Sequence, residues 1–174
     1  MREIDARIAF CINATMDVGE SLYIWGGDAA EEGGFDCSGF VSRRLMWGDK
    51  VWPGFYTGGR TTADGLFRHF DGRGCPDIRV VEDLLPGCVV FYQRSPGTKM
   101  YHVALHLCTV DDFENASGVR APIGPVSTES GGSGSAAKTP RDALLRSAGV
   151  RFTATDYHGR GVWCAKDPFS LLSF

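Results

Sequence analysis

A cysteine at the mouth of a helix is the feature that most limits what this chain can become. The run Phe35-Asp36-Cys37-Ser38-Gly39-Phe40-Val41 follows a loop rich in glycine (Gly26, Gly27, Gly33, Gly34). From Cys37 onward, Val41 and Leu45 recur every four residues with Phe40 on the same side, which predicts a helix with one apolar face. A thiol at the start of that helix meets unpaired backbone N–H groups and the positive end of the helix dipole. Cysteines in such surroundings, helped by a cationic histidine, have pKa values of roughly 3.5–7.5 instead of about 8.5. The pattern is that of a nucleophile.

A nucleophilic thiol needs a base, and histidine is the natural one. Tyr101 to Thr109 alternates strictly in its middle, with Val103, Leu105 and Leu107 on one face and His102, Ala104 and His106 on the other, as a strand requires. At ~3.3 Å per residue the two histidines lie about 13 Å apart, too far to share a zinc ion with bonds of about 2 Å. A metal site built from His102, His106 and Cys108 is therefore disfavoured, and no C-x-x-C pair is present. Gly131-Gly132-Ser133-Gly134-Ser135 lacks the Gly-Lys-Ser/Thr ending of a phosphate loop, which disfavours nucleotide binding. No metal and no cofactor is expected.

The remaining elements are predicted in chain order. Ile4, Ile8, Cys11, Ile12 and Met16 repeat at three and four residues, predicting an amphipathic helix from Glu3 to about Met16 that lays this face on the core. Ser21 to Trp25 is short and extended. Trp47 to Arg60 is rich in turn residues and aromatics and reads as a loop, with Trp52, Phe55 and Tyr56 either walling a cleft or capping the core. Thr61 with Asp64 resembles a capping box; Ala63, Leu66, Phe67 and Phe70 then share a helical face, and His69 falls off it toward solvent. Ile78 to Val81 is a short strand candidate, and Leu85-Pro86-Gly87 turns into a buried strand, Cys88 to Tyr92. Asp111 to Pro125 reads as an insertion loop and Val126 to Ser130 as a strand, followed by the flexible glycine-serine run. Thr139-Pro140-Arg141-Asp142 starts a helix closed by Gly149, and Val150 to Tyr157 and Gly161 to Cys164 are final strands. Helices come first and an antiparallel sheet after, an α+β chain.

With 174 residues, 43% of them hydrophobic and 22% charged, the chain can bury one good core, and residues 1–174 are expected to form a single domain. A net charge of −3 without any basic run argues against nucleic acid and anionic membrane as partners. Met1 to Arg7 is charged and lacks the apolar run of a signal peptide, and no stretch reaches the roughly 18 apolar residues of a membrane span. The expectation is a chain made in the cytoplasm without membrane insertion. Its six cysteines are dilute, and Cys11, Cys88 and Cys108 fall in apolar patterns that suit small core residues.

Several blocks taken together carry a resemblance. Tyr23-x-Trp25-Gly26-Gly27, Gly34-Phe35-Asp36-Cys37-Ser38-Gly39-Phe40-Val41, Leu85-Pro86-Gly87-x-Val89-Val90-Phe91 and His102-Val103-Ala104-Leu105-His106-Leu107 occur in the order seen in the NlpC/P60 cell-wall cysteine peptidases. The chain resembles that family from Tyr23 to about Leu107. The resemblance implies a papain-like fold, with N-terminal helices packed on an antiparallel sheet. It also implies hydrolysis of the peptidoglycan stem peptide, commonly between D-glutamate and a diamino acid. Cys37 is then the nucleophile and His102 the base, Tyr23 lines the cleft, and Asp36 and Ser38 contact the free amino end of the substrate. Asp36 reads equally well as a helix N-cap. Cys88 stands where the family usually has aspartate.

The group that orients His102 is where the family pattern and the chemistry part. Many members place a histidine there; here Thr128 holds the position, with Glu129 next to it. A slip of one residue turns a strand over, and a carboxylate orients imidazole better than a hydroxyl, so both remain candidates with Glu129 preferred. Without a signal peptide, delivery to the wall by a phage tail or as an injected toxin is the expected route, with tail proteins or an immunity protein as partners. Two other readings stay open. One is a non-catalytic particle or interaction protein that keeps the fold. The other is an amidase or acyltransferase using the same dyad.

Overall fold

The computed structural model describes residues 1–29, 31, 33–121, 124–131, 137–155 and 163–174. Five helices and eight strands are formed among them: α1 (Glu3–Thr15), β1 (Leu22–Tyr23), β2 (Asp28–Ala29), β3 (Gly34–Phe35), α2 (Cys37–Val51), α3 (Ala63–Gly72), β4 (Val89–Gln93), β5 (Met100–Cys108), α4 (Val110–Ser117), β6 (Val126–Gly131), α5 (Pro140–Leu145), β7 (Gly149–Ala154) and β8 (Trp163–Lys166). The strands make one sheet in the order β2-β3-β1-β7-β6-β5-β4-β8. Its body, from β7 to β8, is antiparallel, and β1 pairs parallel with β3.

Local chemistry explains most boundaries. Thr62 caps α3 by accepting from the Gly65 N–H at 3.1 Å, one residue later than the Thr61 start that the sequence predicts. Thr109 caps α4 in the same way, and Gly118 ends it in the left-handed conformation at φ 67°. This helix replaces the first part of the loop expected from Asp111 to Pro125. The expected loop from Trp47 is likewise shortened, because α2 continues to Val51; Asp49 then ties the turn by accepting from Gly54 N and Tyr56 N, both at 3.0 Å. Thr139 and Pro140 start α5 as predicted. Ile78 forms only an isolated bridge to Ala165, and Val81–Asp83 is a 3-10 turn, so no strand forms there. The glycine-serine run beyond Gly131 lies outside the described residues, as do the end of the strand expected at Val150 to Tyr157 and the start of the one expected at Gly161.

One sheet face, carrying Val103, Leu105, Leu107, Val126 and Val150, packs against Phe40, Val41 and Leu45 of α2 and against Leu66 and Phe70 of α3. Trp52, Phe55 and Tyr56 close this core from the side and are buried, so the capping reading of that segment holds. The opposite face holds a smaller cluster of Cys88, Val90, Tyr92, Ala104 and Ala165. His102 and His106 belong to this second face, as the alternation of β5 requires.

Helix α1 forms where predicted but lies the other way up. Ile4, Ile8, Ile12 and Met16 are exposed, while Ala6, Phe10 and Ala14 are completely buried and Arg7 is almost so. Phe10 meets Phe55 and Phe169 edge-on, and Arg7 pairs with Asp167 at 2.6 Å while bonding the Pro86 carbonyl at 3.0 Å. The buried face is the one whose aromatic ring and guanidinium find partners in the rest of the fold. His69 is also displaced from expectation: it is half-buried and packs its ring on Tyr56 at 4.7 Å. All six cysteines are free thiols, and burial pushes Cys11 and Cys88 up to about 12.

Candidate active site

The start of α2 is built by close backbone approach. The Asp36 N–H donates to the Gly27 carbonyl at 2.9 Å, and a Cβ on Gly39 would run into that same carbonyl. A Cβ on Gly27 would in turn run into the Gly34 carbonyl, so glycine is required at both positions. Asp36 caps the helix, accepting from Gly39 N at 2.7 Å, and leaves Cys37 as the first helical residue. Cys37 is partly exposed at one wall of a cleft of about 840 Å³.

The opposite wall comes from the sheet. His102, 9% exposed, stands near the beginning of β5 with its ring 5.6 Å from that of Tyr92. Its Nε2 lies 2.7 Å from Oε2 of Glu129 on β6, a residue with no solvent exposure. That contact leaves Nδ1 as the ring nitrogen for the Cys37 thiol. Burial alone would push the ring's pKa down. The charge of Cys37 and its hydrogen bond, and then the hydrogen bond and charge of Glu129, outweigh burial and raise it to about 10.

Glu129 is held in turn. Arg151 on β7 is its directly opposite cross-strand partner and donates to Oε1 from Nε at 3.0 Å and Nη2 at 2.8 Å. Ser130 donates to the Phe35 carbonyl at 2.7 Å, which pins β6 to the residue before the α2 cap. Gly131 makes room: a Cβ there would stand 2.9 Å from Glu129 Oε1 and 3.7 Å from His102 Cε1. Thr128, the other orienting candidate, pairs with Leu105 on the core face; its buried hydroxyl has no hydrogen-bond partner among the described residues.

Tyr23, Asp36 and Ser38 all line the cleft. Burial, then the charges of Cys37 and Asp36, raise the Tyr23 phenol, so it is neutral at ordinary pH. Asp36 has a further partner that sequence reasoning missed, Arg60, whose Nη2 lies 2.7 Å from Oδ2. Arg151 was missed as well. Neither arginine sits in a motif, and only the register of β6 with β7 and the path of the loop before α3 bring them here. His106 takes no part: it bonds Thr155 Oγ1 at 3.1 Å through Nδ1, and burial lowers its pKa to about 4. Among the described residues no three histidine, cysteine or acidic side chains converge as metal ligands. None of the described helices is long and apolar enough to cross a membrane.

No family model matches the sequence, and no curated protein matches it. Among solved structures, the NlpC/p60 domain of the peptidoglycan hydrolase SagA superposes with a TM-score of 0.52 at 21% identity, over 96% of this chain and 99% of that one. A protein of Staphylococcus aureus described as similar to a lipoprotein of the NLP/P60 family matches with a TM-score of 0.45 at 18% identity, over 84% of this chain and 41% of that one. The chain has the fold of an NlpC/P60 domain, as the sequence blocks imply.

Proposed function

We propose that this chain is a peptidoglycan hydrolase, a cysteine peptidase that cuts the stem peptide between D-glutamate and a diamino acid. One observation carries the reading: Cys37, His102, Glu129 and Arg151 form a hydrogen-bonded line along an open cleft in an NlpC/P60 fold. In this mechanism His102 takes the Cys37 proton and the thiolate attacks the amide carbonyl. The imidazolium then protonates the leaving amine, and water, deprotonated by the same ring, releases the acyl group from sulfur. Glu129 fixes the ring and favours its charged form. The N–H groups of Gly39 and Phe40 are consumed by Asp36, which leaves those of Cys37 and Ser38 for the developing oxyanion. Residues 1–174 act as one domain, and delivery by a phage tail or a secretion apparatus belongs to the same proposal.

Mass spectrometry of purified peptidoglycan after incubation tests the reading. The expected product is a stem cut after D-glutamate with one water added, absent with Cys37→Ser and with His102→Ala. A cut between the glycan and the peptide would make the protein an amidase, and a conjugated acyl product an acyltransferase. Unchanged peptidoglycan would favour the non-catalytic reading.

A further inference from the structure

Among the described residues, each carboxylate that lines the cleft, Asp36 and Glu129, is already matched by an arginine. Asp36 accepts four hydrogen bonds: Gly39 N at 2.7 Å and Ser38 Oγ at 2.9 Å on Oδ1, Gly26 N at 3.1 Å and Arg60 Nη2 at 2.7 Å on Oδ2. An ionised carboxylate offers about four lone-pair sites, so none is left over. Arg60 is itself tied down, donating through Nη1 to Ser38 Oγ at 3.1 Å and to the Thr61 carbonyl. The other carboxylate, Glu129, is taken by Arg151 and His102. Arg94 adds an exposed positive charge to the lining, with its guanidinium 5.6 Å from the centre of the Tyr101 ring.

A substrate ammonium entering beside Cys37 would thus find no unmatched carboxylate among the described residues of the lining. To reach Asp36 it would have to displace a guanidinium that is both hydrogen-bonded and of like charge. An acylated amine is neutral and meets no such penalty. We propose that Arg60 makes the cleft select peptides whose amino end is acylated, as in a stem still joined to its glycan strand, over peptides with a free amino end. This specificity rests on the hydrolase reading. It departs from the role in amine recognition that the family resemblance implies for Asp36.

The test compares two synthetic peptides, L-Ala-γ-D-Glu-L-Lys and its N-acetyl form. The wild-type protein is expected to cleave the acetylated peptide with a kcat/KM at least equal to that of the free amine. Arg60→Met frees the Asp36 carboxylate and should shift the ratio toward the free amine by about tenfold, mainly in KM, the size expected of one partly exposed charge-assisted contact. Arg60→Lys should keep the wild-type ratio. A wild-type preference of tenfold or more for the free amine overturns the inference, and this comparison stands whether or not a variant folds. A ratio unchanged in a folded Arg60→Met protein overturns the role of Arg60. If the wild type cleaves neither peptide, the hydrolase reading fails. Calorimetric titration of both peptides into Cys37→Ala then reads the specificity alone: acetylated peptide bound at least as tightly upholds it, while tighter binding of the free amine, or binding of neither, overturns it.

Discussion

Replacing Glu129 by glutamine tests the site most directly, because the amide cannot serve both of its neighbours. Glu129 now accepts from His102 on one oxygen and from Arg151 on the other. Glutamine has one oxygen and one NH2. If its oxygen faces Arg151, the NH2 faces His102 Nε2 and requires that nitrogen to be unprotonated, which disfavours the imidazolium. If the oxygen faces His102, two donors confront each other at Arg151. Hydrogen bonds to charged groups contribute about 1.5–3 kcal/mol, and each ~1.36 kcal/mol is a factor of ten in rate, so acylation should slow by roughly 10–150-fold. Single-turnover acylation of Cys37 reads this without interference from product release. Thr128→Val in the same assay should cost nothing in rate. It removes a buried hydroxyl that has no partner among the described residues and should raise stability by about 1 kcal/mol, or about 2–4 °C in Tm. A Glu129→Gln protein within threefold of wild type, or a Thr128→Val protein that is slow, would refute the assignment.

Iodoacetamide should inactivate the protein and modify Cys37 before the other five cysteines, whereas EDTA should have no effect; peptide mapping showing earlier modification of Cys75 or Cys164 would count against the nucleophile. Gly131→Ala should lower kcat by about tenfold or more with the fold retained, since its Cβ would press on Glu129 Oε1 and approach the His102 ring. Arg151→Met should move the pH profile of Cys37 alkylation as well as the rate, because it takes from the buried Glu129 the two hydrogen bonds that Arg151 donates; an unchanged profile would show that Arg151 only packs. His106 is neutral in the fold with its pKa lowered to about 4, against 6.5 when unfolded. Its contribution to stability is therefore fully present above about pH 6.5 and is lost as pH falls from there toward 4. At ~1.36 kcal/mol per pH unit the loss reaches about 3 kcal/mol, so Tm should drop over that range in wild type and less in His106→Gln.

The sequence by itself determined the parts of this protein that local chemistry controls. The alternation of β5 placed His102 and His106 on one face, and the glycine loop before an amphipathic stretch put Cys37 at the first turn of α2. The blocks around them were sufficient to imply the NlpC/P60 fold. Tertiary structure decided what depends on contact between distant segments. Register of β6 against β5 and β7 turned Glu129, not Thr128, toward His102 and set Arg151 behind it. The path of the loop before α3 laid Arg60 on Asp36. Helix α1 shows the limit most plainly: its most regular apolar row, Ile4, Ile8, Ile12 and Met16, faces outward, and the face with Phe10 and a charged Arg7 is the buried one. Hydrophobic spacing states that a helix has two faces. Which face is buried depends on shape and on partners such as Asp167, 160 residues away, that no local window contains.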